Sequence, residues 1–229
     1  MNYSIRTLLP GLAAVTATAL VLGAGLPASA APAAMTDASH PAHLSAAPSV
    51  ETRITFRNAM GKYWEDHITW TRLFIIADLA DSPDLPMTTQ RLLQNQVDIG
   101  NAFKPYYGKA AGNQLTALLK EHILIAGKII ESGKKAPLPS VPAIGDWYKN
   151  ADQIAAAFSR MNPQAWPYGE MRNMMHHHLK ITTSEVLSVL HGGTGADAYN
   201  GVHRQAMQMA DMLTAGIQKQ FGGKRVAVR

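Results

Sequence analysis

Hydrophobic residues recur at helical spacing along most of the chain after residue 50. The pattern is clearest between residues 107 and 132, where apolar positions and one histidine follow the 3.6-residue period of an α-helix. That stripe consists of Leu115, Leu118, Leu119, His122, Ile125, Ala126 and Ile129. No run of alternating hydrophobic and polar residues bounded by a hairpin signal competes with it. The sequence therefore predicts an all-α fold.

Turn-forming residues divide this pattern into seven predicted helices. We expect them at about 51–80, 90–103, 107–132, 146–160, 168–180, 182–191 and 195–220. Pro105 separates the second helix from the third, and the spacing of Thr182 and Glu185 matches a capping box that would start the sixth. The first, third, fifth with sixth, and seventh make the simplest core. This is a four-helix-bundle-like arrangement with additional short helices.

The two ends of the chain do not look like parts of this bundle. Residues 1–30 combine Arg6, an apolar run and an Ala-x-Ala motif, which together are typical of a secretory signal peptide. Residues 31–50 are rich in Ala and Pro and predict a disordered tether, and 223–229 form a basic tail. The sequence thus predicts one helical-bundle domain at 51–222. We expect it to be secreted or otherwise extracytoplasmic, with no transmembrane helix after signal removal.

Composition narrows the chemistry available to the exported chain. The 229 residues include no cysteine, which excludes disulfides, thiolate catalysis and cysteine metal sites. The formal net charge of +5 falls to about +4 when Arg6 leaves with the signal peptide, enough for weak contact with a cell wall or another anionic surface. Export makes nucleic acid an unexpected partner. Phosphate-binding glycine motifs and a Gly-x-Ser-x-Gly nucleophile motif are absent.

Helical phase sorts the histidines. Four of them, each on a different predicted helix, share the apolar side of that helix: His67, His122, His178 and His203. His176 and His177, which precede His178, point away from that side and are expected to face solvent. We take the four inward histidines, together with Asp211, as candidate metal ligands. Copper is the transition metal that suits histidine and methionine side chains in a chain without cysteine.

A second group of polar residues accompanies these histidines on the first two helices. Glu65 and Arg72 lie seven residues apart and share a side of one helix, and Asn95 and Asp98 line one side of the next. Burying such groups costs free energy unless each is paired. We expect these four residues to bind a small ligand.

Three functions are compatible with a buried layer of histidines and carboxylates. The first, which we favour, is a non-enzymatic exported protein that binds a small ligand or a metal ion. The second is a structural or interaction protein whose polar layer only fixes the fold. The third is an enzyme that uses one histidine as a general base beside a carboxylate. The Glu-x-x-His and His-x-x-x-His spacings of common metal sites are absent.

Three runs of the sequence also resemble motifs of a group of bacterial all-helical proteins that have no established activity. They are Trp-Glu-Asp-His-x-x-Trp-Thr-Arg at 64–72, Leu-Leu-x-Asn-Gln-x-Asp-Ile-Gly at 92–100 and Trp-Tyr-x-Asn-Ala-Asp at 147–152. The resemblance extends over about residues 52–221. It implies one helical domain and highlights the same polar residues, and it implies no mechanism.

Overall fold

Five α-helices and one 3-10 turn follow one another along residues 50–222, the part of the chain that the computed structural model describes. The bounds are α1 Val50–Leu79, α2 Leu85–Gly133, a 3-10 turn Leu138–Ser140, α3 Ala143–Met161, α4 Tyr168–Leu190 and α5 Ala196–Phe221. No strand occurs within these residues, so the predicted all-α class is confirmed. Over the same range, no helix combines the length and apolar character needed to cross a membrane. The predicted signal peptide, the tether up to residue 49 and the basic tail lie outside the described residues.

Helix α2 is a hairpin of two helical limbs rather than one straight rod. Gly108 interrupts it with φ 84° and ψ 165°, a conformation that glycine adopts without steric cost. The limbs, 85–107 and 109–133, fold back so closely that a Cβ atom built on Gly100 would lie 2.7 Å from the carbonyl oxygen of Gly112. In a straight helix these two residues would be about 18 Å apart. A break between the second and third predicted helices is therefore confirmed, but it falls at Gly108 and not at Pro105, which lies inside the first limb.

The helices close around a shared hydrophobic core. Helix α1 packs against α2 and α5, α3 packs against α2 and α4, and α4 packs against α5. This arrangement confirms the predicted bundle-like architecture, in which burial of apolar surface supplies most of the stability. Helix α3 belongs to the core as fully as the longer helices, because Trp147, Ile154 and Phe158 are at most 3% exposed.

Helix α4 runs without interruption through residue 182, so the predicted helix start at Thr182 is wrong. Thr182 and Glu185 are both buried inside the helix. The Glu185 carboxylate does not cap backbone N–H groups; it accepts a hydrogen bond from Nη1 of Arg72 on α1 at 2.8 Å. The spacing of a capping box also places two residues on one face of a continuous helix, and here that face is the buried one.

Candidate functional site

Three of the predicted histidines meet in the centre of the core and are called the three-histidine cluster. His67 on α1, His122 on the second limb of α2 and His178 on α4 are 5%, 4% and 5% exposed. The ring centroids of His67 and His178 are 6.3 Å apart, and those of His122 and His178 are 6.2 Å apart. Each histidine lies on the face of its helix that also carries the buried apolar residues. His178 is the central member of the cluster.

Two rings of the cluster donate a hydrogen bond from Nδ1 to an amide oxygen. His122 donates to Oδ1 of Asn150 on α3 at 2.8 Å, and His178 donates to Oε1 of Gln205 on α5 at 3.2 Å. The amide orientations are fixed by their nitrogens, which donate to main-chain carbonyl oxygens at 3.1 Å and 3.4 Å. Neutral His122 and His178 therefore carry the proton on Nδ1 and a lone pair on Nε2.

The third ring, His67, has an amide nitrogen beside it. Gln96, on the first limb of α2, presents its amide nitrogen to Nδ1 of His67 at 3.2 Å, and the same nitrogen donates to the carbonyl oxygen of Leu92 at 2.8 Å and to Oδ1 of Asn95 at 3.1 Å. These two oxygen acceptors match the two N–H groups of the amide. Among residues 50–222, Nε2 of His122 and Nε2 of His178 have no hydrogen-bond partner.

A cavity of about 30 Å³ adjoins all three rings. Apart from the imidazoles, its wall consists of apolar side chains and three threonines, with no carboxylate, lysine or arginine. Thr71 and Thr183 donate to carbonyl oxygens of their own helices, whereas the buried Oγ1 of Thr182 has no partner in the described part of the chain. Buried polar atoms are rarely left unpaired, and this volume suits one water-sized molecule. The cavity thus lies beside three imidazoles and has room for a single small occupant.

Burial keeps the cluster uncharged at neutral pH. Loss of hydration lowers the pKa of His67 to about 3 and the pKa of His122 to about 3, and in both cases the neighbouring His178 adds repulsion. Burial also lowers the pKa of His178 to about 4, against the opposing effect of its hydrogen bond to Gln205. The imidazolium form is disfavoured because an apolar core cannot solvate its charge. The rings are therefore neutral acceptors or donors, according to tautomer.

Two other predicted metal ligands, His203 and Asp211, lie outside the cluster. Nε2 of His203 is 2.9 Å from the carboxylate of Glu65, and both side chains are partly exposed where α1 meets α5. Asp211 forms an exposed, bidentate pair with Arg57 at 2.9 Å and 3.0 Å. The buried face of α5 runs through Gln205, which is about 200° around the helix from His203. His203 therefore does not face the core.

The predicted ligand-binding residues are also dispersed. Arg72 donates at 2.8 Å to Glu185, whose side chain is 2% exposed, and at 2.7 Å to the carbonyl oxygen of Thr194. Asn95 donates to the carbonyl oxygen of Tyr63 at 3.0 Å and so joins α2 to α1. These contacts hold helices together and do not reach the cavity.

Asp98, the last member of that group, belongs to a network near the surface. Its carboxylate is 3.7 Å from Nη1 of Arg91. Nη2 of the same arginine contacts Asp66 at 3.3 Å, and its Cζ lies 5.5 Å from the centroid of the Trp70 ring. Ion pairs with this much exposure contribute at most about 1 kcal/mol. No carboxylate lines the cavity, so the site consists of histidines and amides rather than a mixed layer of histidines and acids.

The cluster is not arranged as a preformed metal centre. Within residues 50–222, no group of three or more histidine, cysteine, aspartate or glutamate side chains is placed so that it could hold a metal ion. Direct ligation needs nitrogen–metal distances of about 2.0–2.1 Å. Rings with centroids 6.2 Å and 6.3 Å apart are too widely spaced for tetrahedral ligation, so a metal with that geometry would require them to converge.

Helical phase did not single out the amide partners of the cluster. Gln96 and Asn150 lie in the motif runs at 92–100 and 147–152. Each is an amide that shares helical spacing with apolar residues, and this is the one feature of the sequence that could indicate a buried amide there. Gln205 on α5 has the same feature and no other. His176, which was predicted to face solvent, is half-buried: its side chain is 25% exposed, and its Nε2 lies 2.6 Å from the carboxylate of Asp152 on α3.

Comparison with known proteins does not assign a family. No protein-family model, no curated protein and no solved structure matches this chain. The resemblance to bacterial all-helical proteins stays a prediction. Function has to follow from the chemistry of the cluster itself.

Proposed function

We propose that the chain is a non-enzymatic binding protein, and that the cavity beside the three-histidine cluster holds its ligand, a small molecule or a metal ion. One observation carries the proposal. Three neutral imidazoles from three helices meet at a cavity where the buried Oγ1 of Thr182 also lacks a partner among the described residues. A polar layer that only fixes the fold would have its hydrogen bonds satisfied within the protein. Unsatisfied groups around a shared cavity suit an occupant that supplies the missing bonds.

The amide partners support the same proposal. A hydrogen bond at Nδ1 orients an imidazole and fixes the state of its other nitrogen, as it does for histidines that bind metals and ligands. Asn150 and Gln205 provide such bonds to His122 and His178. Because these rings are oriented before a ligand arrives, binding costs less conformational entropy.

Catalysis fits the cluster less well. An efficient general base has a conjugate acid whose pKa lies near the working pH, whereas burial lowers the pKa of His67 and the pKa of His122 to about 3. No carboxylate lines the cavity to assist a base. The volume of about 30 Å³ is also far below the roughly 300–1,000 Å³ of most small-molecule sites. These features favour binding of a very small occupant without chemical change.

A structural role is the second candidate. It is favoured by the lack of a preformed metal-binding group within residues 50–222. In this alternative, the polar cluster fixes the relative positions of the helices and binds nothing of functional importance. The two candidates differ in whether an added ligand stabilises the folded protein.

Ligand-induced stabilisation tests the proposal. The purified protein would be melted with and without Cu⁺ under reducing conditions, Zn²⁺, ammonium and methanol. We expect at least one of them to raise the Tm, because a ligand that binds only the folded state stabilises it by mass action. The effect should disappear in His178→Phe and persist in His177→Phe, since His177 is exposed. If none of the probes raises the wild-type Tm, although substitution of His178 lowers stability, the structural role is favoured.

We also propose that the chain is exported. Residues 1–30 carry the features of a signal peptide, and the mild positive charge suits weak contact with an anionic surface. Mass spectrometry of the protein recovered outside the cytoplasm should give an N-terminus near Ala31. Cytoplasmic protein that retains Met1 would contradict export.

A further inference from the structure

Four parts of the chain form one continuous surface at the tip of the α2 hairpin. Gln220 near the end of α5 accepts a hydrogen bond from the hydroxyl of Tyr107 at 2.8 Å and donates to the carbonyl oxygen of Met161 at 3.3 Å. Gln218 on the same helix donates to the carbonyl oxygen of Arg53 at 3.2 Å. These bonds join the tip of α2, the end of α3, the start of α1 and the end of α5. The surface is called the hairpin end.

Resting on the proposed contact with an anionic surface, we infer that the hairpin end docks on a membrane that contains anionic lipids. The cavity and its ligand play no part in this contact. Unpaired cations and exposed apolar side chains occur together at the hairpin end, and this combination suits the surface of a bilayer.

Five cations at the hairpin end form no ion pair within residues 50–222. They are Arg53, Lys104, Lys109, Arg160 and Lys219, of which Lys104 is half-buried and the others are exposed. The same segments contain two acids, Glu51 and Glu170, and Asp211 nearby is paired with Arg57. Positive charge is therefore in excess on this surface. Each basic side chain close to an anionic bilayer strengthens binding about fivefold.

The turn between α1 and α2, at the opposite end of the bundle, has the reverse charge. Three acids there lie within 2.9 Å of Nζ of one cation, Lys134: Asp78, Asp81 and Glu131. Asp84, just before α2, is also exposed and has no ion pair in the described part of the chain. An anionic bilayer repels such a turn and attracts the hairpin end, so the charges favour one orientation of the molecule.

Two large apolar side chains accompany the cations at the hairpin end. Ile54 on α1 is 53% exposed, and Tyr168 at the start of α4 is 44% exposed. The connection before Tyr168 is held against α5 by Asn162, which donates to the carbonyl oxygen of Gly216 at 3.0 Å. Aliphatic and aromatic side chains beside cations enter the head-group region of a bilayer. A soluble polyanion offers no apolar layer, so the combination favours a lipid surface.

Partition of the purified protein between buffer and lipid vesicles tests the docking surface. Vesicles of phosphatidylcholine with phosphatidylglycerol would be compared with vesicles of phosphatidylcholine alone, because the ratio of the two partition coefficients isolates the electrostatic contribution. We expect the ratio to fall when the salt concentration is raised, since salt screens exposed charges. The triple variant Lys109→Gln, Arg160→Gln, Lys219→Gln should lower the ratio at least about tenfold.

A second triple variant is the matched control for net charge. Lys128→Gln, Lys180→Gln, Arg204→Gln also removes two lysines and one arginine, all exposed and without ion pairs among the described residues, but outside the hairpin end. It should lower the ratio less than about threefold. Thermal melts of both triple variants check that they fold, as surface changes of this kind should.

Ile54→Ser tests the apolar part of the contact. It should weaken binding to the anionic vesicles about threefold or more, because less apolar surface enters the bilayer. Leu124→Ser is the control, since Leu124 is 51% exposed on the second limb of α2 and away from the hairpin end. Its binding should match that of the unmodified protein.

The possible failures separate the docking surface from the proposals on which it rests. Equal losses in the two triple variants overturn the hairpin end as the docking surface and leave the anionic contact standing. A lack of binding to anionic vesicles at low salt overturns both, and the ligand-induced change in Tm still reports on the cavity. Binding of polyphosphate together with unchanged vesicle binding in Ile54→Ser overturns the lipid as the partner.

Discussion

His67 and His178 lie beside each other in the core with ring centroids 6.3 Å apart, although α1 and α4 make little direct contact elsewhere. Gln96 of α2 and Gln205 of α5 hold these two rings. His122 joins them from α2 and is held in turn from α3. All five helices therefore contribute a side chain to one polar cluster. A change at this cluster should affect both the stability of the fold and the binding of a ligand.

Stability should fall as the pH is lowered below about 6.5. Folding lowers the pKa of His67, His122 and His178 to about 3, 3 and 4, whereas histidine in the unfolded chain titrates near 6.5. Between these values the unfolded chain binds protons that the folded protein does not. The free energy of unfolding should therefore drop by about 2 kcal/mol per histidine between neutral pH and pH 5. Urea unfolding across this range measures the slope, and a level stability from pH 7 to pH 5 would contradict a buried, neutral cluster.

Replacement of His178 by alanine should be far more damaging than replacement of its neighbour. His178→Ala removes the central ring and leaves Oε1 of Gln205 without its donor, which we expect to cost about 2–4 kcal/mol. His177→Ala changes an exposed side chain and should shift stability by no more than about 0.5 kcal/mol. Chemical unfolding of the two variants provides the comparison. Similar losses in both would show that the phase of α4 is misassigned.

Arg72→Met should leave the buried carboxylate of Glu185 without its counter-charge. The Glu185 side chain is 2% exposed and receives its hydrogen bond from Arg72, so loss of the guanidinium should cost about 3 kcal/mol at neutral pH. Burial already raises the pKa of Glu185, and Arg72 opposes that rise. Without Arg72 the pKa rises further, so the folded state takes up a proton more readily than the unfolded chain. The deficit relative to wild type should therefore shrink as the pH falls toward the unfolded pKa and grow as the pH rises.

Glu185→Gln in the Arg72→Met background is the control for that mechanism. The amide needs no counter-charge, so the double variant should regain most of the lost stability near neutral pH. A double variant as unstable as Arg72→Met alone would show that lost side-chain contacts of Arg72, rather than the unpaired carboxylate, cause the effect.

Gly100→Ala should disrupt the hairpin of α2. The added methyl group would lie 2.7 Å from the carbonyl oxygen of Gly112 and would overlap the hydroxyl of Thr116, so a loss of at least about 1–3 kcal/mol is expected. Gly61→Ala is the control, because no atom lies within 4 Å of its added Cβ. In the helical interior of α1 that change should stabilise the protein by up to about 1 kcal/mol. Thermal melts should separate the two variants, and equal melting temperatures would contradict the close approach of the limbs.

The sequence predicts the helices well because their periodicity is strong and their breaks are chemically distinct. The inward phase of His67, His122 and His178 could be predicted for the same reason, since each shares a stripe with bulky apolar residues. His203 could not be placed this way. Its neighbours Ala206 and Met207 are buried and half-buried, and alanine marks a buried face only weakly. Packing against α1 decides which face of α5 turns toward the core. That contact cannot be predicted from the sequence of α5 alone.

The partners of the cluster were harder to predict than its histidines. Asn150 and Gln205 become recognisable only when α3 and α5 are placed against the rings. Helical phase predicts a ligand-binding role for Arg72 and a capping role for Glu185, whereas the two side chains bond to each other between α1 and α4. Pairing between distant segments is a property of the tertiary fold, whereas helical phase is local.

A crystal structure of the protein, at a resolution that shows ordered water, would reveal whether the cavity is occupied. We expect His67, His178 and His122 to surround one small peak of electron density in the cavity beside their rings. The centroid separations should remain close to 6.3 Å and 6.2 Å. A core in which the three rings point to different parts of the molecule, or close on one another with no density between them, would contradict it.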